Sequence, residues 1–307
     1  MPLPTADANA LLRRLEWTVI RRLDGLLQGD YRTLMRGSGL DLAYLREYQP
    51  HDDVRHIDWN VTARTHTPHV RMFTEDREMA AWFLLDLSPS INFGSGMQAK
   101  RQVATQFVAV LARLLTRHGN RVGALLYDGQ GTAATVVPAR SGRPHVLHLL
   151  HTMQHRPGAD GATATRLRDL LHAGAAGIRR RSTLFVVSDF ISEPGWQQPL
   201  GQLAQRHDVV AVRLSDPLER ELPDLGLLTL RDAETGQQIL VDTHDKGFRR
   251  RFARIAAERE AALREGLARA GVDALELCTD DDLLAALRRF MDMRQHRVRT
   301  VAAPQAA

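Results

Sequence analysis

The sequence predicts an α/β domain with a doubly wound, mostly parallel sheet and helices on both faces, preceded by a helical and irregular N-terminal segment. Three observations predict it. From residue 80 onward, short apolar runs alternate with amphipathic stretches long enough to carry a crossover between parallel strands. The runs are apolar at consecutive positions rather than at every second one, as strands covered on both faces must be. Both "AAWFLLD" (80–86) and "STLFVVSD" (182–189) end in a carboxylate, and sheets of this kind bind ligands beyond the carboxyl ends of their strands.

Taken in order, residues 8–28 carry Leu11, Leu12, Leu15, Val19, Leu23 and Leu26 at helical spacing and predict an amphipathic helix. Residues 29–69 are charged and aromatic, without a sustained period. After the strand at 80–86 comes a helix over Met97–His118, striped by Val103, Phe107, Val110, Leu111 and Leu114. Ser95-Gly96-Met97-Gln98 matches an S-x-x-Q capping box at its start, and Gly119 is a stop at its end. Strands are predicted at 121–128 and 133–138, helices at 143–155 and 165–174, then the strand at 182–189. A helix at 197–206 and a strand at 208–216 follow. Two short strands near 226–230 and 238–242 precede a long helix over 245–269, ended by Gly271. A strand at 272–278 and a helix at 280–291 complete the pattern. Residues 292–307, basic and then Ala/Pro-rich, read as a disordered tail. The expected division is 1–78 for the N-terminal helix and charged segment, 79–291 for the α/β domain, and 292–307 for the tail.

The 307 residues are 44% hydrophobic and 25% charged, the balance of a globular protein with one large domain or two smaller ones. No apolar run approaches the roughly 18 residues of a membrane span, and the N-terminus lacks the continuous apolar stretch of a secretory signal. The one cysteine, Cys278, excludes an internal disulfide and a cysteine-rich zinc site. The expectation is a cytoplasmic protein. Basic residues outnumber acidic ones by 41 to 36, but only Lys100 and Lys246 are lysines, a bias of the whole chain rather than an adaptation to nucleic acid. The clusters Arg179-Arg180-Arg181, Arg249-Arg250-Arg251 and the tail after Arg288 lack interleaved aromatics and read as solvated surfaces.

The chemistry concentrates in "LLDLSPSINFGS" (84–95). With Ser95 assigned to the helix cap, Ser88 and Ser90 lie too far upstream to be needed there. The chain has nine serines, so this pair follows a given aspartate by chance on the order of once in a thousand. A strand-end carboxylate followed by two hydroxyls can wrap a hard cation in oxygen. Mg²⁺ retains waters, so a few protein oxygens suffice. Neutral hydroxyls leave such an ion short of negative charge, which a partner's Glu or Asp can supply.

D-x-S-x-S at the end of a first strand resembles the opening of the metal-ion-dependent adhesion site of von Willebrand factor type A domains. That family adds a Thr on a glycine-bearing loop and an Asp at the end of a later strand. Here "GADGATATRL" offers Thr163, with Thr165 as the substitute, and "FVVSDF" offers Asp189. Upstream, "LREYQPHDDVRHIDWNVTAR" resembles the R-E-Y-x-x-G-D-D-x-R-x-I-D-W-x-x-x-A-R block of the bacterial family called domain of unknown function fifty-eight, which precedes a type A domain. Arg46, Glu47, Tyr48, Asp52, Asp53, Arg55, Ile57, Asp58, Trp59, Ala63 and Arg64 match, while His51 replaces the usual Gly. The resemblance spans roughly residues 36–290 and implies a von Willebrand factor type A-like fold.

The implied metal set is Asp86, Ser88, Ser90, Thr163 and Asp189, holding Mg²⁺, or Mn²⁺ or Ca²⁺ in its place, with no catalytic residue. Members are typically encoded beside MoxR-type AAA+ ATPases. The resemblance therefore implies an adaptor in protein remodelling or in metal or cofactor insertion, whose partner, the ATPase or its client, presents Asp or Glu to the ion. Within the signature block, Arg46, Arg55 and Arg64 face Glu47, Asp52, Asp53 and Asp58, which suggests an ion-pair network, with Trp59 as a packing anchor. His51, His56, His66 and His69 lack an i, i+4 zinc spacing. Two other readings stay open. A Mg²⁺-dependent phosphohydrolase would need the second carboxylate of a D-x-D pair, where Ser88 stands, or a phosphate-binding glycine loop. A nucleic-acid binder would use the arginine clusters.

Overall fold

The computed structural model describes residues 5–15, 45–49, 54, 57–71, 80–129, 134–155, 165–232 and 236–302. In chain order these form α1 (Thr5–Leu15), β1 (Leu45–Glu47), α2 (Trp59–Thr65), β2 (His69–Arg71), β3 (Ala80–Asp86), α3 (Lys100–Arg117), β4 (Arg121–Tyr127) and β5 (Thr135–Arg140). Then come α4 (Arg143–His155), α5 (Leu167–Gly177), β6 (Thr183–Ser188), α6 (Gln197–Arg206), β7 (Asp208–Ser215), β8 (Leu227–Arg231) and β9 (Gln238–Asp242). The last elements are α7 (Lys246–Arg269), β10 (Asp273–Cys278) and α8 (Leu283–Ala302). Short 3₁₀ turns at Pro89–Asn92 and Pro217–Glu219 follow β3 and β7.

Six strands make one sheet in the order β10-β7-β6-β3-β4-β5, and every pairing is parallel except β4 with β5. This is the doubly wound, mostly parallel sheet that the sequence predicts. Alternate residues of the central strands serve opposite layers. Phe83, Leu85, Leu126, Phe185, Val187 and Val212 pack with α1, α3, α4 and α8, whereas Leu84, Leu125, Leu184, Val186 and Ala211 pack with α5, α6 and α7. Both faces must therefore be apolar, which explains the unbroken hydrophobic runs. Under the first layer, Phe83 stacks on Phe185 at 5.4 Å and Phe107 meets both edge-on at about 6 Å. On the other face, α5 lies so close to β3 that a Cβ at Gly174 would come within 2.8 Å of Leu84.

Three expectations change. Ala8, Leu12 and Leu15 of α1 are buried in the same core as the sheet, so this helix belongs to the α/β body rather than to a separate N-terminal unit; its predicted continuation to 28 lies outside the described residues. Residues 292–302, expected as part of a disordered tail, continue α8. The cause is Arg294, 2% exposed, which donates to Asp273 (3.0 Å) and Asp208 (2.8 Å) and lies over Phe290. Finally, α3 starts at Lys100 with Ala99 as its cap residue, and the Gln102 side chain accepts the Ala99 N–H (3.1 Å). Ser95 does not cap it.

The described residues of the signature block and its flank hold a two-stranded sheet. β1 and β2 pair antiparallel, and α2 lies between them in the chain. Asp58, buried, accepts the Val61 N–H at 3.2 Å and so caps α2. Trp59 is 69% exposed, which corrects its reading as a packing anchor. Asp52, Asp53, Arg55, His51 and His56 lie outside the described residues, as does the Arg46 side chain.

Candidate metal-ligand site

β3 delivers Asp86 to the carboxyl end of the sheet, level with Tyr127 of β4, and the chain then leaves the sheet through Leu87, whose N–H reaches the Tyr127 carbonyl (2.7 Å). Pro89 starts a 3₁₀ turn that folds Ser90 back over Ser88. Their hydroxyls lie 3.2 Å apart, and neither residue is more than 5% exposed. The Ser88 side chain makes no capping bond. Both serines are thus free of a helix-capping role, though not because Ser95 takes it. Asp86 accepts hydrogen bonds from the Ser88 N–H (3.0 Å) and from the Ser188 hydroxyl at the end of β6 (2.7 Å). Ser188 in turn accepts the Phe190 N–H (2.9 Å).

Asp189, one residue beyond β6, is buried beside this group. One oxygen accepts the Ile191 N–H at 3.0 Å, and the other accepts the Lys100 ammonium at 2.6 Å. Lys100 also reaches Glu219 at 2.6 Å and lies 5.9 Å from the Phe93 ring centre. Burial disfavours its charge, but Asp189 and Glu219 outweigh that penalty and hold its pKa above the ordinary lysine value. Burial and then the Asp189 charge push the Asp86 carboxyl up from 3.8 to about 6, against lowering hydrogen bonds from Ser188 and Ser88.

The threonine brought to this cluster is Thr165, 1% exposed. Gly129, at φ +90° after β4, threads between it and Ser88: a Cβ there would lie 3.1 Å from the Ser88 Cβ and 3.2 Å from the Thr165 hydroxyl. The Thr165 carbonyl accepts both the Glu193 N–H (2.9 Å) and the Ser192 hydroxyl (3.0 Å), which ties it to the loop that follows Asp189. Thr163 lies outside the described residues. Next to the cluster, Phe93, whose ring centre lies 5.9 Å from Lys100, and Ile191, whose N–H bonds Asp189, are exposed.

Sequence reasoning brought out Asp86, Ser88, Ser90 and Asp189 but missed Lys100, Glu219, Ser188 and Gly129. Lys100 carried a signal, being one of two lysines among 41 basic residues. Ser95 was misassigned: its N–H and hydroxyl both go to Asp216, at 2.9 and 2.6 Å. The donor set around Asp86 and Asp189 is oxygen alone. Among the described residues, no group of three or more His, Cys, Asp or Glu side chains is placed to hold a metal, so an ion here would rest on two carboxylates, hydroxyls and water. That combination suits a hard cation that keeps part of its hydration.

Fold and site together define a doubly wound α/β protein with a buried carboxylate–hydroxyl cluster at the carboxyl edge of its sheet. The chain belongs to the family described as Protein of unknown function DUF58, whose model matches residues 44–262. The uncharacterized proteins Rv1480 of Mycobacterium tuberculosis and Mb1516 of Mycobacterium bovis are each 41% identical over 286 residues, 93% of this chain and 89% of theirs. Among solved structures, an aerotolerance-related membrane protein from Bacteroides fragilis aligns over 71% of this chain and 99% of its own, at 12% identity and a TM-score of 0.46.

Proposed function

We propose that this chain is a non-enzymatic, metal-dependent protein-binding adaptor. A divalent cation, Mg²⁺ or Mn²⁺ or Ca²⁺ in its place, would be held by Asp86, Ser88, Ser90, Asp189 and a threonine of the 163–165 stretch. When bound, it supplies an electrophilic centre for an acidic side chain of a partner. The observation that carries this reading is the meeting of two buried carboxylates, at the end of β3 and just past the end of β6, with a pair of buried hydroxyls. Oxygen donors without histidine or cysteine favour a hard cation over zinc. The exposed Phe93 and Ile191 beside the cluster favour a protein partner, because exposed apolar side chains beside a charged centre suit an interface with an apolar core and a polar anchor. A MoxR-type AAA+ ATPase or its client is the partner class proposed.

The arginine clusters support a nucleic-acid reading poorly. Arg249 is paired with Asp224 at 3.0 Å, Arg251 with Asp245 at 3.7 Å and Arg289 with Asp281 at 3.6 Å. The test is calorimetric titration of the full chain with Mg²⁺ and Mn²⁺, alone and with an acidic peptide, together with pull-down of the MoxR-type ATPase from the same genome. Saturable metal binding and capture, both lost on EDTA treatment and in Asp86→Ala, support the proposal. No metal binding, or undiminished capture by Asp86→Ala, sinks it.

A further inference from the structure

We infer that Lys100 is a tethered cation competing with the divalent ion for Asp189, so that loading the site transfers Lys100 wholly to Glu219. The inference rests on the metal-site reading above and adds the residue that sets its affinity. In a chain that uses arginine almost everywhere, position 100 carries a lysine, 1% exposed, at the first turn of α3. Its compact ammonium fits between two carboxylates, 2.6 Å from each, where a planar guanidinium would need a wider gap. The Asp189 oxygen it occupies is the one not engaged by the Ile191 N–H. A divalent ion at Asp86 and Asp189 would therefore meet a fixed positive charge on its own ligand, and the two repel.

Glu219 gives the lysine somewhere to go. It stands on the 3₁₀ turn after β7, its second oxygen accepts the Asp216 N–H at 3.0 Å, and it is 24% exposed. Asp216 is itself fixed by Ser95, Thr279 and Leu218. Glu219 is thus an anchored counter-charge, able to keep Lys100 when Asp189 turns to the ion. In the metal-free protein the lysine neutralises Asp189; in the loaded protein the ion does.

The experiment is calorimetric Mg²⁺ and Mn²⁺ titration of the full chain as wild type, Lys100→Met, Glu219→Gln and the double variant, with melting temperature recorded with and without metal. Lys100→Met is expected to bind at least tenfold more tightly, with a lower metal-free melting temperature and a larger rise on metal addition. Glu219→Gln is expected to bind at least threefold more weakly, because it leaves the lysine with Asp189 alone. The double variant should stay tighter than wild type, which separates competition for Asp189 from recruitment of Glu219 as a new ligand. Should Lys100→Met fail to fold, Lys100→Gln, which keeps a polar tip between the two carboxylates, replaces it in both the single and the double variant. Wild-type binding with no gain in Lys100→Met, or a gain in Glu219→Gln, overturns the inference and leaves the metal site standing. No binding in any variant, acidic peptide included, overturns both.

Discussion

Asp86 is held in the interior at a cost to the fold. Its pKa lies near 6 in the folded chain against 3.8 for the unperturbed group, raised by burial first and by Asp189 second. Between about pH 4 and pH 6 the folded chain keeps a proton that the unfolded chain has released, so stability falls as pH rises through that window and is level above it. At pH 7 the ionised group costs the metal-free protein on the order of 2–3 kcal/mol. Asp86→Asn removes that charge. Urea unfolding at pH 7 without metal should find the variant about 1–3 kcal/mol more stable than wild type, the gap closing toward pH 4. Added Mg²⁺ should stabilise wild type alone. A variant less stable than wild type at pH 7 would mean that the bonds from Ser88 and Ser188 outweigh the burial of charge. At this scale the carboxylate–hydroxyl grouping of Asp86, Ser88 and Ser90 was legible because D-x-S-x-S is a local pattern. Lys100 stands out in the sequence only as a rare lysine; its pairing was not legible, since its partners stand 89 and 119 residues away.

At the scale of elements, distance along the chain again separates what could be read from what could not. Helices α4 and α6 match their expected bounds, because a periodic apolar stripe is a property of neighbours in sequence. The start of α3 and the end of α8 depend on remote groups. Ser95 looks like a cap from its neighbours, yet its partner Asp216 is 121 residues on; Arg294 looks like part of a solvated basic stretch, yet Asp208 lies 86 residues back. Arg294 bridges carboxylates at the starts of β7 and β10, so removing it takes the buried guanidinium away from the buried Asp273 and the part-buried Asp208. Arg294→Ala should lower stability by about 3–5 kcal/mol. Arg294→Lys should recover little of it, since a single ammonium does not reproduce a fork aimed at two acceptors. Thermal unfolding of both variants measures this, and a loss below about 1 kcal/mol would reduce the bridge to the value of a surface pair.

For the whole molecule, the layered α/β body was legible because both sheet faces are covered and the strands declare it. The reach of the body was not, since nothing in residues 5–15 states which surface they cover. Ala8, Leu12 and Leu15 are buried against the helical layer that carries α3 and α4, and Asn9 accepts the Arg143 guanidinium at 2.6 Å. A recombinant fragment cut at residue 79, where the motif boundary invites the cut, would therefore uncover a greasy furrow on the side of the sheet that also carries Phe107. Light scattering and thermal unfolding should find that fragment more prone to self-association and less stable than the full chain, whatever metal is added. An equal melting temperature would reduce α1 to an appendage. The first helix thus acts as a plate nailed to the back of the domain, on the face that α3 and α4 also cover, and a fragment without it is no longer the same folded body.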